Sequence, residues 1–210
     1  MPLHAAGIYS AASNQSCTDY CVISYTPTLT ALLGARRDHH PILKEEENIL
    51  LVTVSRPFEG ATLESVMEEA EVVSSLVPSR NLIRLGTDFQ STEEQSNDAT
   101  ASRVIQQLPN TSILHMSCHG LQDMNDPLES GFLMRDRKLT VAQLMDLNLP
   151  SAFFAFLGAC ETAKGDAKQP DQVIHLAATM LFAGFRSVVG TMWYVYLTVS
   201  PMTVGDDTVS

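Results

Sequence analysis

The chain has 210 residues, enough for one α/β domain with a sizeable core and marginal for two. Its 13 basic and 24 acidic side chains give a formal charge of −11, and because a surface of that sign repels phosphate, the composition argues against nucleic acid as the main partner. The longest apolar run, residues 152–160, is far shorter than the roughly 20 residues of a membrane-spanning helix, so no membrane partner is expected.

The cysteine spacing and the N-terminus together indicate the cellular compartment in which the protein is expected. The four cysteines form neither a disulfide framework nor paired CxxC motifs, which predicts reduced thiols at Cys17, Cys21, Cys118 and Cys160. Residues 1–24 lack the basic start and the apolar core of a signal peptide, and their small polar composition without a period predicts an irregular N-terminal segment. We therefore expect a soluble, cytoplasmic protein.

From Asn48 onwards, short apolar runs alternate with helix-like segments. The runs are rich in Val, Leu, Ile and Phe, the composition of strands that are covered on both faces. They lie at residues 48–55, 81–86, 112–120, 152–160 and 185–193. The segments with helical periodicity lie at residues 61–77, 101–108, 141–147 and 171–184. This alternation predicts βαβ units and a parallel sheet with helices on both faces.

Three segments carry further local detail. In the helix at 61–77, apolar residues recur at intervals of three and four, and the glutamates between them are assigned to the polar face: Glu64, Glu68, Glu69 and Glu71. Residues 131–140 have an apolar half and a charged half, which is typical of a small hairpin or an edge strand. Thr140 is predicted to cap the helix at 141–147.

Two residues capable of covalent chemistry stand at strand ends, where parallel sheets bind their ligands. His119 ends the third predicted strand and Cys160 the fourth. Because neighbouring parallel strands lie about 4.8 Å apart, the imidazole can reach the thiol, take its proton and leave a nucleophilic thiolate. The backbone amides of Gly120 and Cys160 are the predicted oxyanion hole, since a residue without Cβ lets the chain turn its amide toward a substrate.

A structural zinc site is the main chemical alternative for the same residues. It would combine His115, Cys118, His119 and Cys160. Strand alternation, however, places His115 and His119 on one face of the third strand and Cys118 on the other, so the four ligands would not converge. Cys118 is accordingly interpreted as a packed apolar side chain.

Three ordered segments carry a family resemblance. They are ILHMSCHG at 113–120, FLGACETAKGD at 156–166 and HLAATMLFAGFRSVVGTMW at 175–193. Together with the opening segment YTPT at 25–28, they resemble the CHAT domain, a caspase-like group that is related to separases and often fused to tetratricopeptide or other helical repeats.

The resemblance implies a fold and a chemistry. The implied fold is a caspase-like three-layer α/β/α sandwich with a mainly parallel central sheet over residues 25–195, followed by an irregular tail at 196–210. The implied activity is that of a cysteine endopeptidase without metal or cofactor, with His119 of the HG motif as base and Cys160 of the A-C-x-T motif as nucleophile. Members usually continue with a further helix, so we expect the C-terminal helix to be missing here, as in a fragment or a truncated product.

The predicted function is a regulated proteolytic switch of the defence or cell-death type. Its partners would be a protein or peptide substrate and helical-repeat or sensor domains on a longer or separate chain. Acidic residues near the predicted site favour a basic substrate side chain: Asp123, Asp126, Glu161 and Asp166. The alternative is a catalytically inactive caspase-like interaction or signalling domain. A nucleotide-binding domain is set aside because no GxxxxGK[ST] or GxGxxG run follows a strand.

Overall fold

The computed structural model describes residues 6–10, 13–37, 47–86, 98–121, 123, 125–158 and 173–190. Its strands, in chain order, are β1 (Gly7–Ser10), β2 (Ser13–Ser16), β3 (Ile49–Thr53), β4 (Leu82–Leu85), β5 (Ile113–Ser117), β6 (His119–Leu121), β7 (Gly131–Leu133), β8 (Lys138–Thr140), β9 (Phe154–Leu157) and β10 (Ser187–Gly190). Its α-helices are α1 (Leu29–Arg37), α2 (Ser65–Leu76), α3 (Ala101–Gln107), α4 (Val141–Met145) and α5 (Val173–Ala183).

Each of the five predicted apolar runs contains one strand of a single parallel sheet. The strand order is β10-β9-β5-β3-β4. The chain thus adds β4 on one side of β3, and then β5, β9 and β10 on the other side. In sheets that reverse in this way, the carboxyl ends of the strands at the reversal form the crevice that binds ligands. The crevice is therefore expected above β3 and β5.

Helices cover both faces of the sheet. On one face, alternate side chains of the inner strands are almost fully buried and pack in one cluster with α3, α4 and α5: Leu50, Val52, Leu114, Met116, Ala155 and Leu157. Helix α2 lies against the opposite face, where Glu69 contacts His115 and Ser117. The predicted α/β/α sandwich is confirmed. The expected loss of a C-terminal helix concerns residues 191–210, which lie outside the described residues.

The third strand does not run as predicted, because its last residues belong to a second, smaller sheet. The sequence predicts one regular strand at 112–120, whereas β5 ends at Ser117, the chain bends at Cys118, and His119 begins β6. Strand β6 pairs antiparallel with β7, and β7 pairs with β8, so the predicted hairpin at 131–140 is confirmed and joined by a third strand. Apolar composition does not distinguish one strand from two short strands separated by a bend, and the break was therefore missed.

The N-terminal segment is more regular than predicted. Strands β1 and β2 form an antiparallel hairpin that leads into a 3-10 turn at Cys17–Asp19. Their sequences, GIYS and SNQS, lack the apolar alternation from which a strand is predicted. The sulfur atoms of Cys17 and Cys21 lie 3.8 Å apart.

Helices α2 to α5 follow their sequence signals, whereas α1 was not predicted. Val66 and Ala70 on the apolar side of α2 are buried. Thr140 caps helix α4: its hydroxyl accepts a hydrogen bond from the Gln143 amide, while the Gln143 side chain accepts one from the Thr140 amide. Within the described ranges, no helix has both the length and the apolar character needed to cross a membrane.

Candidate active site

His119 lies at the carboxyl edge of the parallel sheet, near the point where the strand order reverses. It follows β5 by two residues and is only 5% exposed. Its Nε2 atom lies 2.7 Å from the backbone carbonyl oxygen of Ala61, in the connection from β3 to α2. Because a carbonyl oxygen can only accept, Nε2 carries a proton, and a neutral ring in this orientation has its lone pair on Nδ1.

The loop that presents Ala61 has a defined conformation. The Phe58 amide donates a hydrogen bond to the carbonyl of Met134, which follows β7, at 3.1 Å. Gly60 has a φ of +102°, a conformation that residues with a Cβ rarely adopt, and a Cβ built there would stand 3.8 Å from Cδ2 of His119. The backbone of this loop therefore sets the orientation of the His119 ring.

A carboxylate that the sequence did not single out lies at the same edge of the sheet. Through Oε2, Glu69 of α2 accepts a hydrogen bond from the Ser117 hydroxyl at 2.8 Å, and its Oε1 atom lies 2.9 Å from Nε2 of His115. The ring of His115 also stacks on Phe156, with centroids 4.7 Å apart and 17° between the ring planes. This cluster, which we call the Glu69 cluster, joins α2 to β5 and β9.

The contacts of the Glu69 cluster hold the pKa of the Glu69 carboxyl below its ordinary value. The hydrogen bond with His115 is the largest cause, partial burial opposes it, and the hydroxyl of Ser117 lowers the pKa further. With a side chain 33% exposed, Glu69 is neither a solvated surface group nor a fully buried one. It is a carboxylate at neutral pH, and it pairs with a positive charge whenever His115 is protonated.

The order of contacts in the Glu69 cluster differs from that of a catalytic triad. In a triad, the histidine stands between the hydroxyl and the acid. Here Ser117 and His115 both bond to Glu69, so the cluster holds positions rather than activating the hydroxyl. A signal for it was present in the sequence, because Glu69 follows Val66 by three residues and precedes Val73 by four, which places it on the apolar side of α2.

Two of the predicted substrate-binding carboxylates shape the loop between β6 and β7. Oδ1 of Asp123 accepts hydrogen bonds from the amides of Asp126 at 3.0 Å and Asn125 at 2.9 Å, and these bonds lower the pKa of the Asp123 carboxyl. Oδ1 of Asp126 accepts from the amide of Leu128 at 3.1 Å. Both side chains therefore organise the loop that follows the strand of His119.

A comparison with known families decides the classification. The profile of the CHAT domain matches residues 1–201 of the chain. The chain belongs to the CHAT-domain family. Membership indicates a caspase-like cysteine peptidase domain, in agreement with the parallel sheet and its two helical layers. No curated protein matches the chain.

The motifs of the CHAT domain fall partly within the described residues. The HG motif is His119 and Gly120, and Gly120 is buried in β6 opposite Phe132 of β7. The remaining predicted site residues lie outside the described residues: Cys160, Glu161 and Asp166. The approach of the thiol to His119 and the oxyanion hole of Gly120 and Cys160 therefore stay predictions.

The zinc alternative has no support among the described residues of this CHAT domain. Cys118 is fully buried in the core cluster on the face opposite His115, as strand alternation predicts. Over the described ranges, no group of three His, Cys, Asp or Glu side chains is arranged to hold a metal ion. The Nε2 atoms of His115 and His119 lie instead against Glu69 and the carbonyl of Ala61.

Proposed function

We propose that this CHAT domain is a cysteine endopeptidase in which His119 is the general base and Cys160 the nucleophile. The observation that carries the proposal is the His119 ring, which is buried at the carboxyl edge of the sheet with Nε2 bonded to Ala61 and its lone pair on Nδ1. A base that is oriented by a fixed acceptor is the arrangement that activates a nucleophile. Cys160 follows β9, the neighbour of β5, by three residues, which supports the pairing.

In the first half of the proposed reaction, Nδ1 of His119 takes the thiol proton of Cys160. The thiolate sulfur forms a bond to the carbonyl carbon of the scissile peptide, and the π electrons of the carbonyl move to its oxygen. The amides of Gly120 and Cys160 donate hydrogen bonds to this oxyanion. When the carbonyl re-forms, the C–N bond breaks and the leaving amine takes the proton from His119, which leaves a thioester.

In the second half, a water molecule loses its proton to His119 and attacks the thioester. The C–S bond breaks, the acid product leaves, and the proton returns to the Cys160 sulfur. In both halves the histidine is transiently an imidazolium, and the hydrogen bond from Nε2 to the Ala61 carbonyl strengthens when the ring carries that charge. The loop after β3 thus stabilises the charged intermediate as well as orienting the base.

The proposed substrate is a protein or peptide with a basic side chain on the acyl side of the scissile bond. Two acidic segments support this choice, because in the sequence they follow His119 and Cys160: Asp123 and Asp126 after the first residue, Glu161 and Asp166 after the second. A positional-scanning peptide library tests the choice, and a profile without selection for Arg or Lys would contradict it.

The proposed setting is a regulated proteolytic switch of the defence or cell-death type. The family supports this setting through its common fusion to helical repeats. Helical-repeat or sensor domains on a longer or separate chain would then control access to the site.

Labelling with an electrophilic peptide probe tests the proposed activity. We expect the parent chain to be labelled at Cys160, Cys160→Ala to be unlabelled, and His119→Ala to be labelled at least about 100-fold more slowly. The partly exposed thiols provide the matched control, because Cys17→Ser with Cys21→Ser should leave labelling at Cys160 unchanged.

Equal labelling of the parent chain and of Cys160→Ala would reject the peptidase proposal. A folded parent chain that is never labelled at Cys160 would favour the alternative, a caspase-like interaction domain without turnover. Mass mapping of the labelled peptide distinguishes the predicted site from the exposed cysteines.

A further inference from the structure

We propose that Glu69 is a positioning residue, which braces the two strand ends from which the chain continues to His119 and to Cys160. This inference rests on the proposed peptidase function for its consequence in the reaction. Its structural part rests on the hydrogen bonds of Glu69 with β5 and on the space that its carboxylate fills beside Gly158.

The first set of contacts is made with the end of β5. Ser117 is the last residue of that strand, and its hydroxyl donates to Oε2 of Glu69 at 2.8 Å. His115 lies on the same face, and its Nε2 atom is 2.9 Å from Oε1. One carboxylate therefore engages both side chains that this end of the strand presents to α2, and it does so two residues before His119.

The second observation concerns Gly158, the residue that follows β9. A Cβ built on Gly158 would lie 2.9 Å from Oε1 of Glu69 and 3.3 Å from the Ser117 hydroxyl, closer than such atoms pack in practice. The carboxylate thus occupies the space that a side chain at position 158 would fill. Because Oε1 and Oε2 are held by His115 and Ser117, the carboxylate cannot move aside without breaking its hydrogen bonds.

The position of these contacts gives Glu69 its proposed role. Gly158 precedes Cys160 by two residues, just as Ser117 precedes His119. A change in the separation of the two strand ends would change the separation of base and nucleophile, and an error of about 1 Å in such a geometry lowers a rate by about 100-fold. In the proposed mechanism Glu69 forms no bond to the substrate and transfers no proton, so its role is to act through the strands.

Three substitutions separate the position of the side chain from its charge. Glu69→Gln keeps the length, since its oxygen accepts from Ser117 while its amide donates to Nε2 of a His115 ring that is protonated on Nδ1. Glu69→Asp keeps the charge but is one methylene too short to reach both partners. Glu69→Ala removes both the length and the charge of the side chain. Glu68→Ala, at an exposed position of the same helix, is the matched control.

The experiment measures the saturation kinetics of Cys160 labelling by the electrophilic peptide probe in the full chain. For Glu69→Ala and Glu69→Asp, we expect the maximal labelling rate constant to fall by about 10- to 100-fold while the half-saturating probe concentration stays within about twofold. Glu69→Gln should keep a rate within about threefold of the parent, and Glu68→Ala should match the parent. If Glu69→Ala does not fold, Ser117→Ala removes one of the two bonds and should lower the rate constant in the same direction.

Several results would overturn the inference. A parental rate in Glu69→Ala would show that the strand ends keep their positions without the carboxylate. A change confined to the half-saturating concentration would identify Glu69 as a substrate-binding residue instead. Rescue by Glu69→Asp but not by Glu69→Gln would assign the effect to charge.

A thermodynamic cycle separates failure of the inference from failure of the proposed function. If the parent chain is labelled no more than Cys160→Ala, the peptidase proposal fails. Urea unfolding of Gly158→Ala, Glu69→Ala and the double variant then tests on its own whether Glu69 holds the two strand ends together. We expect the double variant to unfold at a higher urea concentration than the two single shifts predict by addition, because the new Cβ displaces the same carboxylate. Additive shifts would overturn the bracing.

Discussion

The carbonyl oxygen of Ala61 lies 2.7 Å from Nε2 of His119, so a loop that follows the first strand of the parallel sheet orients a side chain from the small antiparallel sheet. The contact joins segments that are 58 residues apart in the chain. Because the acceptor is a backbone atom, the orientation of the ring depends on the conformation of the loop and not on the identity of a side chain.

Gly60→Ala should disturb this orientation. The backbone at position 60 has a φ of +102°, which is unfavourable for alanine. We therefore expect a loss of about 1–3 kcal/mol in the free energy of unfolding and slower labelling of Cys160. Urea unfolding and probe labelling measure the two effects. Gly34→Ala is the control, because Gly34 lies within α1 with no atom near its absent Cβ, and alanine there should stabilise by about 0.5–1 kcal/mol. Parental behaviour of Gly60→Ala would argue against control of His119 by the loop.

Acid should weaken the contribution of Glu69 to stability. The folded state holds the pKa of Glu69 below its ordinary value of about 4.3, mainly through the hydrogen bond with His115. The stabilisation is therefore fully present above that ordinary value and is lost as the pH falls through the folded-state pKa. We expect the difference in unfolding free energy between the parent and Glu69→Gln to shrink between pH 7 and pH values below about 4. A difference that stays constant in urea titrations over this range would contradict the assignment.

Phe132→Ala should be strongly destabilising. Phe132 is fully buried in β7, opposite Gly120 of the HG motif, and removal of a buried phenylalanine ring costs about 3–5 kcal/mol. The comparison is with Phe182→Ala, since Phe182 is 53% exposed on α5 and its removal should change stability by less than about 1 kcal/mol. Similar urea midpoints for the two variants would show that the small sheet does not form part of the cooperative core.

Thr140→Ala should destabilise the start of α4. The Thr140 hydroxyl accepts from the amide of Gln143, and loss of such a cap costs about 1 kcal/mol. Thr140→Ser retains the hydroxyl and should stay close to the parent in thermal unfolding. If serine and alanine lowered the melting temperature equally, the cap would not be the cause.

Much of the architecture could be predicted from local sequence patterns. Runs such as residues 48–55 and 152–160 are apolar without alternation because their strands are covered on both faces, and that property is visible in composition. The cap at Thr140 was predictable for a similar reason, since it depends on residues three positions apart. The hairpin of β1 and β2 was not predictable, because its polar residues carry no periodic signal.

The candidate site was predictable only in part. Alternation within one strand correctly placed Cys118 in the core, because burial on one face repeats every second residue. The bend after Ser117 escaped prediction because His119 begins a strand whose partner, β7, lies more than ten residues later in the chain. Glu69 was assigned to a polar helix face, although its partners His115 and Ser117 lie on β5, which no local pattern connects with α2.

The sequence by itself determined the alternation of the five parallel strands with helices α2 to α5, the α/β class and the HG motif at the end of an apolar run. These are properties of composition and short-range spacing, which act through burial and backbone propensity. Only the tertiary structure decided which atoms hold the site, namely the Ala61 carbonyl on His119 and the Glu69 carboxylate on β5. The physical reason is that a hydrogen bond between distant segments depends on how the sheet and helices pack, and a single contact of this kind leaves no periodic pattern along the chain.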